Sequence, residues 1–411
     1  MKTMKIPSGW KLCKQSDVSA FYNGRAYKLS EWETEGTPVI RLQNLTGTGN
    51  EYYYSNLKLP EHQYADDGDL LYMWSATFGP KIWQGEKAIY HYHIWKVVCK
   101  DDLLDQSFMY YNLDFITESM KSKTNGSTML HFTKKGMEEH EILLPPLAEQ
   151  EKIAKYLSTV DKKIDLIDQK IAETEKLKTG LMQKLFSEGV GVQDENGNWQ
   201  PHTDFKPSGY PDCWKVMQLK SIANVITGKT PPPANTENYG GDYMFVSPSD
   251  LGSRKYISHT KSTLSKQGVN NGKVVPKGAI FFTCIGSTIG KIGISTQECC
   301  TNQQINTVIL EKDGYMSEYV YYALSHISGS IKRLAGIQAV PIVKKSLFES
   351  QFIPIPPQEE QQLIAETLAT VDLKLDILYK QKAETQQLKK GLMQKLLTGE
   401  WRVPVEETEA A

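Results

Sequence analysis

The sequence predicts a mixed α/β protein in which two globular heads are separated by two long helices, paired as an antiparallel coiled coil in a pseudo-twofold internal repeat. Three observations support this prediction. The hexapeptide GLMQKL occurs at residues 180–185 and again at 391–396. Each copy ends a helical segment, and each segment follows a region of similar size that is rich in strand and turn signals. A chain of 411 residues is long enough for two or three domains.

The repeated segment extends well beyond the hexapeptide. A shift of 211 residues aligns the 41 residues that begin at Pro145 with those that begin at Pro356, with 23 identities and no gap. Self-similarity of this kind indicates an internal duplication. Each copy opens after Pro-Pro with acidic residues in its first turn and closes near a glycine, which are signals for the start and the end of a helix.

Both helices carry an apolar stripe at alternating spacings of four and three residues, the pattern of a coiled-coil seam. The stripe lapses around Thr174 and Thr385 and resumes at leucines that include Leu177 and Leu388. Because a helix this long cannot bury its stripe alone, we expect the two copies to pair; the alternative is that each is the core helix of its own domain. The predicted seam residues are Ile153, Leu157, Val160, Ile164, Ile167, Ile171, Ile364, Leu368, Val371, Leu375 and Leu378.

The helices divide the chain into six segments. Both heads begin alike, with PSGW and PSGY, and end in a short apolar strand before Pro-Pro, which suggests that they are diverged copies. Frequent turn residues between β-branched and aromatic runs predict mixed α/β heads that are rich in loops. The segments are a first head (1–144), a central spacer helix (145–187), a linker (188–206), a second head (207–354), a C-terminal spacer helix (355–400) and a tail (401–411).

Composition limits the class of protein. The formal net charge is only -1, but residues 215–291 contain ten Lys and Arg against three Asp and Glu. This region is either a surface that meets phosphates or an ordinary solvated face. No apolar run approaches the roughly 20 residues that a membrane span needs. The six cysteines show no disulfide-like spacing, so we expect reduced thiols and a cytoplasmic protein.

Known catalytic motifs are missing or incomplete. GSTIGK at 286–291 has three residues between its glycines, where a phosphate-binding P-loop needs four. Neither a GxGxxG fingerprint nor the usual amino-methyltransferase tetrapeptide occurs. His91 and His93 would share one face of a strand, but paired surface histidines are the favoured interpretation and no metal site is predicted. The chain is therefore expected to bind rather than to catalyse.

The residues resemble a known family. The PPLAEQ and PPQEEQ openings, the repeated helices, the LLTGEWRV ending and the PSGW start resemble the specificity subunit of type I restriction–modification enzymes. The resemblance covers essentially the whole chain and is most specific in the two helices. It implies that the heads are target recognition domains, each reading one half of a bipartite double-stranded DNA site, and that the helices set the unread spacer.

The resemblance also implies partners. Two methylation subunits would dock on the helices, and restriction subunits would join them. S-adenosylmethionine, ATP and Mg would then be bound by those partner subunits, with no cofactor on this chain and no membrane contact. The rival hypotheses are a non-DNA scaffold with two interaction domains on a coiled-coil spacer and an enzyme with an unrecognised site. Salt-dependent binding to duplex DNA distinguishes the scaffold from a DNA reader.

Base reading requires polar side chains on loops that reach the groove edges. For any single loop residue, a solvated side chain is the alternative interpretation. In the first head, the candidates are Arg41, Gln43, Asn44, Lys81, Asn125 and Ser127. In the second head they are Lys229, Thr230, Arg254, Lys255, Ser287, Lys291, Asn302, Gln303 and Gln338.

Overall fold

The computed structural model describes residues 6–123, 133–252, 254–336 and 339–405, and their contacts divide into two compact units. The first unit contains the residues up to Gln169 together with those from Lys380 onward, and the second unit runs from Lys170 to Tyr379. The units cut across both long helices. Each unit therefore combines one head with part of each helix.

The first unit contains a head of short strands joined by short helices. Its strands are β1 (Lys11–Lys14), β2 (Ser19–Asn23), β3 (Thr37–Ile40), β4 (Tyr53–Ser55), β5 (Tyr64–Ala65), β6 (Leu70–Ser75), β7 (Thr77–Ile82), β8 (Ala88–Tyr90), β9 (Ile94–Cys99) and β10 (Glu141–Leu144). Its helices are α1 (Gln15–Val18), α2 (Leu42–Thr46), α3 (Gln106–Lys123) and α4 (Lys134–Glu138), followed by the long helix α5 (Leu147–Ser187). The strands form sheets in the orders β2-β9-β6-β7, β4-β3-β8-β5 and β1-β10.

The second unit contains a head of the same kind. Its strands are β11 (Val192–Gln193), β12 (Trp199–Gln200), β13 (Lys215–Gln218), β14 (Ala223–Thr227), β15 (Tyr239–Val246), β16 (Tyr256–Ile257), β17 (Ser262–Leu264), β18 (Val274–Val275), β19 (Ile280–Thr283), β20 (Ile292–Ser295), β21 (Cys299–Thr301), β22 (Ile305–Leu310) and β23 (Phe352–Ile355). Its helices are α6 (Leu219–Ile222), α7 (Lys266–Asn271), α8 (Ser317–Arg333) and α9 (Lys345–Glu349), followed by the long helix α10 (Gln358–Leu397). The strands form sheets in the orders β14-β22-β19-β20-β16, β17-β15-β21-β18 and β13-β23, with β11-β12 as a separate hairpin.

The two heads share one topology. The strand orders correspond sheet by sheet, and β16 is an added edge strand in the second head. The registers correspond as well, because Asn23 pairs with Trp95 in the first head and Thr227 pairs with Asn306 in the second. Trp95 and Asn306 are 211 positions apart, the same shift that relates the helices. The duplication therefore includes the heads, although few of their side chains match.

The apolar run of β6 is explained by burial on both of its faces. Leu70 and Tyr72 pack in the core that contains Phe108 of α3, whereas Leu71 and Met73 pack in a second core towards the other sheet. A short continuous apolar run is the pattern expected of such a fully buried strand. In the second head, all four residues of β19 are likewise buried.

Parts of the two long helices run antiparallel within each unit. In the first unit, Asp161 of α5 lies 2.8 Å from Lys389 of α10, and Asp168 lies 2.6 Å from Lys382, so residue numbers fall on α10 as they rise on α5. In the second unit, Lys178 of α5 lies 2.6 Å from Asp372 of α10. The Lys389–Asp161 and Lys178–Asp372 pairs are equivalent under the 211-residue shift with the roles of the helices exchanged.

The predicted seam is buried at most of its positions, and its course differs from the prediction at the same point of each helix. Val160 and Ile164 are half-buried, and the other nine predicted residues are buried. The stripe continues through Thr174 and Thr385, which are 4% and 6% exposed, whereas Leu177 and Leu388 are 51% and 53% exposed. The expectation that the stripe lapses at these threonines and resumes at the two leucines was therefore wrong. The Thr174 hydroxyl donates a hydrogen bond to the Lys170 carbonyl at 2.6 Å, so the polar group remains satisfied inside the stripe.

A buried carboxylate joins each long helix to its head. Glu149, in the first turn of α5, accepts hydrogen bonds from the Trp10 indole at 3.0 Å and from Arg402 Nε and Nη2 at 2.8 and 2.9 Å. Its counterpart Glu360 accepts a hydrogen bond from the Trp214 indole at 2.7 Å. These glutamates therefore do more than start their helices, since each anchors a head tryptophan.

The glutamine that follows each of these glutamates also joins the helix to its head by hydrogen bonds. Gln150 accepts a hydrogen bond from the Asp105 backbone N–H and donates to the Leu103 and Pro145 carbonyls, each at 2.9 Å. Gln361 bonds in the same way to the Met316 backbone N–H and to the Gly314 and Pro356 carbonyls. Because the partners in the heads are backbone groups, these hydrogen bonds do not depend on the identity of head side chains.

Two expectations from composition bear on the environment of the chain. Along the described residues, no helix combines the length and the apolar character that crossing a membrane requires. All six cysteines are free thiols, and three of them are buried.

We predict that Glu149→Gln lowers the free energy of unfolding of the first unit at neutral pH. It should also reduce the loss of stability as the pH falls. Burial by itself raises the pKa of the Glu149 carboxyl, but hydrogen bonds from Arg402, Trp10 and the Val403 N–H outweigh it and hold the pKa below its ordinary value. Stability from such a group is complete above the unfolded-state pKa and is lost as pH falls through the lower folded-state pKa. Loss of the charge-assisted bonds should cost about 2 kcal/mol at pH 7.

The measurement is the urea unfolding midpoint of the first unit between pH 3 and pH 7. Glu151→Gln, at an exposed position on the same helix, is the matched control. The wild type and the control should lose stability steeply below the ordinary pKa of glutamate, and the Glu149 variant should lose less. Parallel pH profiles for all three chains would rule out this role of Glu149.

Candidate functional site

The predicted DNA-reading residues fall into several places on the heads. Asn125, Ser127 and Gln338 lie outside the described residues. The others lie in a cleft of the second unit, in a cleft of the first unit, at the start of helix α2, and around the turn between β21 and β22.

Four predicted residues of the second head line one cleft of about 630 Å³. Lys332 of α8 adds a further cation to the same lining. We call this lining the basic cleft; apart from Lys178, its cations are Arg254, Lys255, Lys291 and Lys332, and Ser287 contributes an exposed hydroxyl. The acidic residues of the lining are Glu175, Asp372 and Asp376, and Asp372 is already paired with Lys178 at 2.6 Å. The balance of charge at the cleft is therefore positive.

Lys255 is held in an aromatic cage at this cleft. Its ammonium group lies 4.7 Å from the ring centre of Tyr322 and 5.0 Å from that of Tyr256. Burial lowers the pKa of Lys255, and the nearby carboxylates of Glu318 and Asp372 oppose that effect. A cation placed on ring faces in a partly desolvated site is attracted by the ring quadrupole. The cage fixes the position of one cation of the cleft.

Lys291 is also positioned by its surroundings. Its ammonium group donates a hydrogen bond to the Pro248 carbonyl at 3.3 Å, and its stem lies beside Gly252. The segment 286–291, which lacks the glycine spacing of a P-loop, lies in the connection between β19 and β20. It supplies Ser287 and Lys291 to the cleft. Fixed cations beside a small, exposed hydroxyl suit contacts with phosphate oxygens.

A cleft in the first unit has an acidic lining and corresponds to the basic cleft only in part, since Tyr110, Asp161 and Asp165 match Tyr321, Asp372 and Asp376 under the 211-residue shift. It has a volume of about 670 Å³ and includes the predicted residue Lys81. Its charged lining residues are Lys81, Lys155, Asp105, Glu151, Asp161 and Asp165. The linings of the two clefts therefore differ in charge, and Lys81 lies in acidic surroundings.

The predicted residues at the start of helix α2 take part in an aromatic stack and in a loop. The Arg41 guanidinium lies 4.8 Å from the ring centre of Tyr53, which in turn lies 4.6 Å from the ring centre of Trp32. The Asn44 amide is bonded within its own loop, since it accepts from the Arg41 N–H at 2.8 Å and donates to the Gly49 and Glu51 carbonyls. Gln43 is half-buried beside them. The Asn44 side chain thus shapes the loop that presents Arg41.

The remaining predicted residues meet at the turn between β21 and β22. The Lys229 N–H donates to the Thr301 carbonyl at 2.9 Å, and the Thr230 hydroxyl donates to Gln303. Asn302 donates through its amide to Gln304 at 3.1 Å. Four residues that the sequence nominated separately are therefore neighbours.

The corresponding residues of the first head were missed. His91, Tyr92 and His93 lie in the turn between β8 and β9, so the expectation that His91 and His93 lie on one strand is corrected. Their rings are packed together, with centroids 5.2 Å apart for His91 and His93. Burial, followed by His93 and Arg41, lowers the pKa of His91 to about 4, so this imidazole is neutral at pH 7. The 211-residue shift of 302–304 was the signal that could have identified this turn.

One further cluster carries the residue types of a metal site. His202, Cys213 and Glu360 place potential ligand atoms within 4.8 Å of one another. The Glu360 oxygens, however, already accept hydrogen bonds from the Val190 and Gly191 N–H groups, Trp214 and His202. This donor set resembles the one around Glu149, where Arg402 takes the place of His202. The cluster therefore fits a structural junction of the linker with α10.

Comparison with known proteins identifies similar sequences. A family model described as type I restriction modification DNA specificity domain matches residues 7–176 and again 211–387. The MjaVIII type I restriction enzyme specificity subunit of Methanocaldococcus jannaschii is 27% identical over 421 residues, covering 98% of this chain and 95% of that protein. The EcoBI specificity subunit of Escherichia coli is 22% identical over 428 residues, covering 97% of this chain and 88% of that protein.

Solved structures show a similar fold. A chain from work on complex assembly and conformational transition of the type I R-M system aligns with a TM-score of 0.60 at 16% identity, over 97% of this chain and 100% of that one. The type I restriction–modification S subunit from M. genitalium aligns with a TM-score of 0.57 at 16% identity, over 97% of this chain and 98% of that one. At this level of identity, the likeness concerns the fold.

Proposed function

The chain belongs to the type I restriction–modification DNA specificity family, and from that membership we propose that each of its two heads reads one half of a bipartite DNA site. It is a specificity subunit with two target recognition domains, one for each match to the family model. The assignment of one half-site to each head goes beyond family membership. The observation that carries it is that two heads of one topology have clefts with differently charged linings and carry different side chains at the turns 91–93 and 302–304, which correspond under the 211-residue shift.

The proposal divides the work between base reading and phosphate contact. The cations of the basic cleft would contact the DNA backbone, which positions a protein without reading sequence. Polar and aromatic side chains on the loops would read base edges. The predicted residues Arg41, Lys229, Thr230 and Gln303 remain candidates for that reading.

We predict that Arg254→Gln combined with Lys332→Gln weakens DNA binding and reduces its salt dependence. Each phosphate contact contributes about 0.9 to the slope of log affinity against log salt concentration, so losing two contacts should lower the slope by about 1.8. The measurement is the affinity of the assembled complex for duplex DNA at several salt concentrations. Lys215→Gln with Lys220→Gln, two exposed lysines of the same head outside the cleft, is the matched control. Equal slopes for the two double variants would exclude the cleft from the DNA interface.

We further propose that methylation and restriction subunits supply the chemistry. In this scheme two methylation subunits dock on the long helices and bind S-adenosylmethionine, while restriction subunits carry ATP and Mg. Exposed apolar residues support docking on the helices, because Leu166 and Ile377 correspond under the 211-residue shift, as do Leu177 and Leu388, and all four are about half exposed. A surface that occurs twice suits two copies of one partner. The six free thiols support a cytoplasmic setting for the complex.

We predict that Leu177→Asp with Leu388→Asp prevents docking and leaves the chain folded. Both leucines are exposed, so the substitutions should change the free energy of unfolding by less than about 0.5 kcal/mol each. The double variant mixed with methylation subunits should elute in gel filtration as separate proteins. Normal assembly of the variant would contradict the docking surface.

We also predict that the isolated chain does not bind S-adenosylmethionine. Calorimetric titration with S-adenosylmethionine should show no binding to the chain alone and stoichiometric binding to the wild-type complex. Cofactor binding by the isolated chain would contradict the proposed division of labour.

A further inference from the structure

One turn occupies the same place in both heads. In the first head it comprises residues 91–93, between β8 and β9, and in the second head it comprises residues 302–304, between β21 and β22. We call these two segments the tip turns. The 211-residue shift that relates the long helices also superimposes the tip turns in sequence.

The backbone around the tip turns is the same in the two heads. The His91 N–H donates to the Ile40 carbonyl at 2.9 Å, and the Asn302 N–H donates to the Val246 carbonyl at 3.0 Å. The His91 carbonyl then accepts from the Ile94 N–H at 2.9 Å, and the Asn302 carbonyl accepts from the Ile305 N–H at 3.2 Å. The turn is therefore built by backbone bonds and does not depend on its own side chains.

A glycine holds a second strand against each tip turn. A Cβ atom on Gly24 would lie 2.3 Å from the His91 carbonyl oxygen, and one on Gly228 would lie 2.1 Å from the Asn302 carbonyl oxygen. Such distances are far below contact distance, so this close approach requires glycine. In each head the residue after the glycine is basic, Arg25 in the first and Lys229 in the second. The frame thus places a cation beside each tip turn.

The side chains on this shared frame differ in chemistry. The first tip turn carries His-Tyr-His and the second carries Asn-Gln-Gln. The central residue is exposed in both, with Tyr92 at 38%. Since the backbone bonds already form the turn, these exposed side chains are not needed to build it.

The first tip turn belongs to an aromatic surface. The rings of Tyr92 and His93 lie 3.8 Å apart, and the His91 ring lies 6.3 Å from that of Trp32. Trp74 also supports the turn, because its indole donates to the Tyr92 carbonyl at 2.8 Å. An aromatic and neutral imidazole surface favours apolar contact, such as that with the methyl group of thymine.

The second tip turn presents amides. Gln303 accepts a hydrogen bond from the Thr230 hydroxyl through Oε1, which fixes the orientation of its amide. Its Nε2 can then donate hydrogen bonds outward. Amide side chains suit the adjacent donor and acceptor on the major-groove edge of adenine.

We propose that the tip turns are the specificity-determining elements of the two heads, with Tyr92 reading the first half-site and Gln303 reading the second. The inference rests on the proposed function and deepens it by naming one reading residue in each head. The shared frame sets the approach to the DNA, and the central side chain selects the base.

The test is a reciprocal exchange, Tyr92→Gln in one chain and Gln303→Tyr in another. Each variant is assembled with the methylation partner and measured in competition over duplexes that carry the wild-type site with one position changed at a time. Leu103→Gln in the first head and Phe352→Gln in the second, both at exposed positions outside the turns, are the matched controls. A third variant, Gln303→Glu, keeps the shape of the side chain and exchanges its donor for an acceptor.

Each exchange should reduce the preference for the native base about ten-fold or more at one position of its own half-site, and should leave the other half unchanged. Gln303→Glu should move the preference at that position towards cytosine, which presents an amino donor. An unchanged base ranking, or a loss of affinity that is equal for all bases, would overturn the inference. If the wild-type complex shows no base preference in either half, the proposed function itself fails, which is a separate outcome.

Discussion

Replacing Leu368 by aspartate is expected to unfold the second unit. Leu368 is fully buried on α10 and packs in a core with Leu185 and Phe186 of α5 and Trp214 of the head. A carboxylate at this position has no partner, and burying it costs several kcal/mol, of the order of the whole stability of a marginal domain. The effect should be large because the same side chain joins the helix pair to the head.

Leu373→Asp provides the matched control on the same helix. Leu373 is 60% exposed, so the same change of residue should alter the free energy of unfolding by less than about 0.5 kcal/mol. Urea denaturation followed by circular dichroism, with limited proteolysis of the second head, measures both variants. If Leu368→Asp unfolds at the same urea concentration as Leu373→Asp, the α5–α10 contact does not stabilise the unit.

The helices were the most predictable part of the fold. Spacing alone identified Ile153, Leu157, Ile364 and Leu368, all of which are fully buried. The prediction failed at Leu177 because residue type was given more weight than spacing. Steps of three and four from Ile171 lead to Thr174 and Lys178, so Leu177 is out of phase with the seam. Threonine can occupy the buried position because its hydroxyl bonds to its own helix.

The candidate site was less predictable, and Asn44 shows why. Its residue type and loop position suit base recognition, yet its amide is bonded to the backbone of its own loop. Residue type states what a side chain can donate or accept, but tertiary contacts decide whether that capacity is already used. Lys81 is a similar case, because its acidic neighbours are Asp105, just before α3, and three carboxylates of α5, far away in the sequence.

The equivalence of the tip turns was obscured by a change in spacing. The glycines before Arg25 and Lys229 are 204 positions apart, whereas the tip turns themselves are 211 apart. Insertions within the heads therefore break the single shift that aligns the helices. With side chains as different as His-Tyr-His and Asn-Gln-Gln, only the common backbone bonds reveal the match.

Replacing the first head by a copy of the second is expected to convert the recognised site. The exchange substitutes residues 207–355 for residues 1–144, because Leu144 and Ile355 precede the Pro-Pro pairs of the two repeats. The resulting chain should lose the half-site that the first head reads and should contain two readers for the other. No part of the original second head is altered.

The contacts at the junction favour this exchange. In the transplanted head, Trp214 would supply the indole that Trp10 supplies to Glu149, as it already does for Glu360. Gln150 would find the same backbone groups that Gln361 bonds in the second unit. The transplanted head should therefore dock on α5 as it docks on α10.

The most direct test is to sequence methylated bases in cells that lack other DNA methyltransferases and produce either chain with its methylation partner. The wild-type chain should give a motif with two different halves. The exchanged chain should give a motif in which the second-head half occurs twice and the first-head half is absent. A motif that keeps the first-head half after residues 1–144 have been removed would contradict the claim that each head reads its own half of the DNA site.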